Sequence, residues 1–206
     1  MSLTTLFEEF VTIWVVVDPI GTIPVFLAFT GGMAAKQRNK VAFQAIAVAA
    51  GVLVFFIVCG QMLMDALGIS LLSFRIAGGI IMFLFALTMV FGDSKPQSEI
   101  QNGRGMEQNV AVYPLAVPSI ASPGAMMTVV VLTDNNRFSV PEQSLTSLMM
   151  VLVLAATFIL LLLANPIHKV IRASGASIVS RVMGMILAAV AVDIVLEGLE
   201  LRFLQP

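Results

Sequence analysis

"VVVDPIGTIPVF", Val15 to Phe26, sets an aspartate and two prolines inside a run otherwise apolar enough to cross a membrane. "LAVPSIASPGAMMTVV", Leu115 to Val130, repeats the interruption with Pro118, Pro123 and Gly124. A proline inside a helix removes a backbone hydrogen bond and clashes with the preceding turn, at a cost of about 3 kcal/mol. An ionised aspartate at the bilayer centre adds roughly 2.5–3.5 kcal/mol on insertion scales. Both costs fall if the breaks are helix starts. Asp18-Pro19 and Ser122-Pro123 each read as an N-cap side chain followed by proline at the first helical position. The residue before a proline is pushed out of the helical region, which suits an N-cap. Each segment is therefore expected to stop near mid-membrane and to restart there as a half-helix.

The rest of the chain agrees with a membrane setting. Of 206 residues, 59% are hydrophobic and 11% charged, with a mean hydropathy of +1.01. A soluble domain carries about 25% charged residues, so an integral membrane protein is the reading. Six runs approach the roughly 20 apolar residues that a crossing helix needs: Leu6–Phe29, Val41–Leu67, Leu71–Phe91, Val110–Thr133, Leu145–Ala164 and Ile178–Leu196. They are continuous rather than alternating with period two, which argues against a β-barrel. Residues 92–109 form the longest polar stretch and read as a connector between residues 1–91 and 110–206. The opening residues lack the basic region of a signal peptide. No basic patch suggests nucleic acid. One cysteine, Cys59, and one histidine, His168, offer no metal cluster, and the methionines read as helix packing. Neither a phosphate-binding loop nor a hydrolase motif occurs, so neither an enzyme nor a cofactor is expected.

Basic residues set the orientation. Lys36, Arg38 and Lys40, then Lys95 and Arg104, then Lys169 and Arg172 with Arg181 nearby, fall on alternate connections. Only Arg75, Arg137 and Arg202 fall on the opposite side. The first, third and fifth connections are expected in the cytoplasm and both termini outside, in a multi-pass protein of the cell (inner) membrane.

The halves resemble each other. "GISLLSFRIAGG" from Gly68 and "GASIVSRVMG" from Gly175 share G-x-S, a serine near an arginine, then R-x-x-G. Arg75 thereby matches Arg181, and Gly78 matches Gly184. Asp18 and Ser122 each stand at the thirteenth residue of their segments. Three crossings per half place the second half upside down. The expected fold is all-α, with six transmembrane segments in two inverted-topology three-helix repeats whose first segments are broken.

Helix starts at mid-membrane present free amides and partial positive charge. These would belong to Ile20, Gly21 and Thr22 in one half and to Gly124, Ala125 and Met126 in the other. Irregular backbone at that depth is tolerated where it lines a cavity or is buried in protein. Two amide clusters beside one acid, Asp18, suit a small zwitterion, with Thr22, Ser119, Ser122 and Thr128 adding hydroxyls. The plainer alternative is a pair of proline kinks in which Asp18 only caps its own helix. Arg75 and Arg181 either reach the interfaces or pair with a carboxylate or a helix C-terminus to steady a gate, Asp65 and Asp193 being the acids considered. Asp193 is a candidate for ion coupling because it stands inside an apolar segment. Gln44 and Gln61 are candidates for interhelical hydrogen bonds. Asn165-Pro166 is expected to end the fifth segment, His168 to lie at an interface, and Gly78, Gly79 and Gly184 to be packing points.

"DPIGTIPVFL", "PSIASPGAM", six segments and about this length resemble the MarC family of bacterial and archaeal membrane proteins, over essentially the whole chain. Its SnatA-like members are transporters of small neutral amino acids such as glycine and alanine. The resemblance implies a substrate site on Asp18-Pro19-Ile20-Gly21 and Ser122-Pro123-Gly124, and coupling to protons, with sodium the other ion to test. The competing functions are export of another small metabolite or drug-like solute, and a structural or regulatory membrane protein without transport. Oligomeric state stays open, a homo-oligomer included.

Overall fold

The computed structural model describes residues 2–91, 109–135 and 137–203; the side chains of 71, 168–174, 176, 177 and 180 are outside that description. The connector at 92–108, with Lys95 and Arg104, lies outside the described residues, as do the side chains of His168, Lys169 and Arg172.

The described chain is helical throughout. α1 (Leu3–Val17) begins at Ser2, whose hydroxyl accepts from the Thr5 amide. Asp18 then closes α1 and opens α2 (Pro19–Thr30). α3 (Ala35–Ala66) and α4 (Leu71–Phe91) follow. α5 (Ala111–Ile120) is irregular, with extended backbone at Tyr113 and Val117, the residues before Pro114 and Pro118, as proline demands of its predecessor. Its Ala121 amide reaches five residues back to the Ala116 carbonyl at 2.8 Å. α6 (Pro123–Leu132) restarts at Ser122. α7 (Val140–Leu162) starts at a capping box of Ser139 and Glu142, and α8 is Ala164–Phe203.

Among the described residues, five helical stretches are long and apolar enough to span a bilayer, and α5 with α6, bent by 55°, makes a sixth. α1 and α2 together form one such stretch, Leu3–Thr30, and it is the most enclosed of them. The two breaks therefore differ in shape. At the first, Asp18 alone absorbs the turn by adopting left-handed backbone (φ 49°, ψ 66°), a region that aspartate tolerates better than most residues. At the second, three prolines force a true bend.

The fifth segment ends at Leu162, and Asn165-Pro166 opens α8 rather than closing α7. Proline is compatible with a first helical turn, and no further proline occurs before Phe203. The sixth segment is accordingly the second half of a 40-residue helix, not an isolated run from Ile178. At about 1.5 Å per residue that helix is twice as long as the bilayer core is thick.

α4 and α8 form the most extensive helix pair. They run antiparallel, because Arg75 at the start of α4 meets Glu197 near the end of α8, and Arg181 meets the Val90 carbonyl near the end of α4. Glycine permits their close approach. A Cβ on Gly79 would lie 2.9 Å from the Ala191 carbonyl, and one on Gly184 would lie 3.2 Å from that of Ala86. Large apolar side chains such as Phe43, Val58, Leu84 and Leu196 face outward, as a lipid-facing surface requires. A smaller set of polar residues, Asp18, Thr22, Ser119 and Ser122 among them, is buried.

Candidate functional site: two helix breaks in contact

Asp18 is 2% exposed. Its amide donates to the Trp14 carbonyl, closing α1, and its Oδ1 accepts from the Gly21 amide at 3.0 Å, opening α2. The carboxylate lies so close over Gly21 that a Cβ there would collide with it. That is the requirement for glycine at this position. The Thr22 hydroxyl turns back to the Asp18 carbonyl at 3.0 Å.

The second break is built on the same cap chemistry. The Ser122 hydroxyl accepts from the Ala125 amide at 3.1 Å. It also donates to the Val16 carbonyl at 3.3 Å, so the N-cap of α6 satisfies an end carbonyl of α1. Ser119, on α5, donates to the Thr22 hydroxyl on α2 at 3.2 Å. Gly124 faces Val16, at 3.1 Å from an added Cβ to Cγ1, and Met82. The two breaks thus touch through paired hydroxyls, a serine-to-carbonyl bond and a glycine contact. Asp18, Pro19, Gly21, Thr22, Ser119, Ser122, Gly124, Ala125 and Thr128 are all buried and Ile20 partly so; Pro123 is exposed.

The expected donors are not all left open. The Gly21 and Thr22 amides bond to Asp18, and the Ala125 and Met126 amides to Ser122. Each cap side chain covers the helix end it was expected to expose. Thr128 faces α4, where its hydroxyl lies 3.7 Å from the Met82 sulfur. Asp193 is exposed on α8 and outside this buried cluster.

The arginines take up different partners from the acids considered. Asp65 is exposed. Arg75, 5% exposed, meets Glu197 at 2.6 Å, and Glu197 also holds Arg137 at 2.9 Å. The Arg75 Nε is buried without a hydrogen-bond partner. Beside this group, Gln61 donates to Asp134 at 2.8 Å and accepts from the Asn135 amide at 3.0 Å. The α6–α7 connection is thereby fastened to α3 through Gln61 and to α8 through Glu197. At the opposite end of the bundle, Asn165 accepts from Arg38 at 2.7 and 3.1 Å when its amide is oriented for that contact, and Arg181 donates to Val90 at 2.7 Å.

Two buried acids were not among the sequence candidates. Glu9, 4% exposed on α1, accepts from the Thr146 hydroxyl of α7 at 2.9 Å. Asp134, 2% exposed, follows α6. Glu9 was within reach of the sequence, since it stands in the first apolar segment and the functional presumption about intramembrane acids covers it as much as Asp18. Asp134 had no such signal, because it looks like an ordinary loop residue.

The family model described as MarC family integral membrane protein matches residues 3–203. A UPF0056 membrane protein of Archaeoglobus fulgidus is 31% identical over 96% of this chain and 93% of its own. The UPF0056 membrane protein MJ1677 of Methanocaldococcus jannaschii is 32% identical over 97% and 98%. The UPF0056 membrane protein YhcE of Escherichia coli is 29% identical over 94% and 91%. No solved structure matches the chain.

Proposed function

The chain belongs to the MarC family of integral membrane proteins, and we propose that it is a secondary transporter of small neutral amino acids. The observation that carries this reading is the contact between two helix breaks, inside an apolar bundle, through Thr22 with Ser119 and the Val16 carbonyl with Ser122, beside the buried Asp18. Broken helices meeting at mid-membrane are the usual construction of a transporter site. A solute carboxylate would take the Ile20 and Gly124 amides of the two first turns, and its ammonium the Asp18 carboxylate. The polar residues at the breaks, Thr22, Ser119 and Ser122 beside Gly21 and Gly124, are small, which suits glycine or alanine rather than a bulky solute. The cycle would be coupled to protons, with sodium the ion to exclude by substitution.

The repeat reading draws support from how the elements pair. Exchanging α1, α2, α3 and α4 for α5, α6, α7 and α8 turns α3 on α5 into α7 on α1, α3 on α6 into α7 on α2, and α2 on α8 into α6 on α4; all six pairings occur. Alternating access would rock one half against the other about the joined breaks. We assign the face carrying Arg38, Asn165 and Arg181 to the cytoplasm, because the basic residues concentrate there.

The test uses the full chain in liposomes with labelled glycine and alanine, with and without a pH gradient. Wild type is expected to exceed empty liposomes. Asp18→Asn should insert normally, because asparagine also caps helices and tolerates left-handed backbone, yet lose most uptake. Uptake equal to that of empty liposomes for every small amino acid would refute the reading. Undiminished uptake by Asp18→Asn would remove Asp18 from the site.

A further inference from the structure

We propose that Glu9 and Thr146 form the proton-loading site of this transporter, an inference that rests on the transport reading above. Glu9 stands at the end of the second turn of α1. Phe7 and Val11, two residues to each side of it, are exposed, as is Glu8 next to it. Glu9 itself points inward and is buried against α7.

The geometry around Thr146 accommodates both protonation states. Its Oγ1 lies 2.9 Å from Glu9 Oε2 and 3.2 Å from the Glu142 carbonyl oxygen. A hydroxyl has one hydrogen to give and two lone pairs. When Glu9 is ionised, that hydrogen goes to Oε2 and stabilises the charge. When Glu9 binds a proton, its own O–H donates to Thr146 Oγ1, and the threonine hydrogen turns to the Glu142 carbonyl. Neither state leaves a buried polar atom unpaired, a condition whose failure costs about 1–3 kcal/mol. An ordinary buried glutamate is fixed in one state by its partners; this one is provided with an alternative bond for each.

Among the described residues the charged neighbours are few. α1 adds Glu8, which is exposed, and α7 adds Glu142, whose Oε2 accepts from the Ser139 amide and hydroxyl. α6 carries no ionisable side chain. On α8, Asp193, Glu200 and Arg202 are exposed and Glu197 is held by Arg75 and Arg137.

Position gives the proton its effect. Glu9, Ile13, Val16 and Val17 share the buried side of α1, and Asp18 follows nine residues after Glu9, about 14 Å along the axis. α1 therefore carries the proton site and the substrate break on one rigid rod. The Glu9–Thr146 bond joins α1 to α7, a helix of the other half. Taking a proton from water on one side reverses the donor in that bond, and releasing it to water on the other side restores it. The protonation state thus acts on the contact between halves that must slide.

The experiment compares the full-length wild type with Glu9→Gln, Thr146→Val and Thr146→Ser in liposomes. Infrared spectra across pH should show a protonated-carboxyl band that titrates in wild type and is missing in Glu9→Gln. Its midpoint should move in Thr146→Val and return in Thr146→Ser. A gradient of one pH unit supports about tenfold accumulation per coupled proton. Wild type should approach that ratio with labelled glycine, and Glu9→Gln should fall to about one. Identical titrating bands in wild type and Glu9→Gln, or full accumulation by Glu9→Gln, would overturn the proposal. If wild type moves no amino acid, the transport reading fails, and the infrared titration still decides whether Glu9 exchanges a proton.

Discussion

Replacing Ser122 by alanine removes one oxygen that makes two buried bonds, one within α6 and one to α1. Loss of an N-cap side chain costs about 1 kcal/mol. The Val16 carbonyl loses its Ser122 donor at a residue 1% exposed, where an unpaired polar group costs about 1–3 kcal/mol. The expected destabilisation is thus about 2–4 kcal/mol. Ser2 supplies the comparison. Its hydroxyl also caps a helix, accepting from the Thr5 amide at 3.1 Å, but the bond is exposed. Water replaces it, so Ser2→Ala should cost about 1 kcal/mol or less. Ser122→Thr retains the hydroxyl and should lie between. The assay is denaturant unfolding in lipid nanodiscs, followed by fluorescence of Trp14, the single tryptophan, one turn before Asp18. A destabilisation by Ser122→Ala no greater than that of Ser2→Ala would refute the reasoning, since it would mean the two breaks are not bonded through this hydroxyl.

Two further predictions follow from packing and charge. Gly79→Ala places a methyl 2.6 Å from Val195 Cγ2 and 2.9 Å from the Ala191 carbonyl, whereas Gly51→Ala meets nothing within 4 Å; overpacking of this kind costs about 1–3 kcal/mol, and better helix propensity recovers up to about 1, so the same unfolding assay should find Gly79→Ala less stable and Gly51→Ala no worse than wild type. Glu197→Gln should cost about 1.5–3 kcal/mol, the worth of a hydrogen bond to a charged group, because Arg75 remains buried; Arg75→Met with Glu197→Leu should recover most of that loss, and equal stability of the single and double variants would show that the ion pair is not what holds α4 to α8 at this end.

The breaks were legible because proline chemistry is local. Asp-Pro and Ser-Pro constrain their own backbone wherever they stand, so two helix starts could be assigned from a few residues. The packing role of Gly79 and Gly184 was legible for a similar reason: a missing side chain between apolar residues allows close approach. Partners were another matter. Arg75 takes Glu197, 122 residues away, rather than Asp65 or Asp193, because helix packing decides which of several acids lies level with the arginine. Asp193 precedes Glu197 by one turn, yet is exposed.

The sequence by itself determined a membrane protein with two broken segments, since hydropathy and backbone restriction are properties of short stretches. It also determined where α2 and α6 begin, through the cap residues and prolines at their starts. Tertiary structure alone decided that Ser122 caps α1 as well as α6, that the cap side chains occupy amides expected to be open, and that Glu9 is enclosed while Asp193 is exposed. Those outcomes depend on which faces of distant helices meet. Burial and long-range hydrogen bonds arise only once the helices pack, and no local pattern encodes the angle at which they do so.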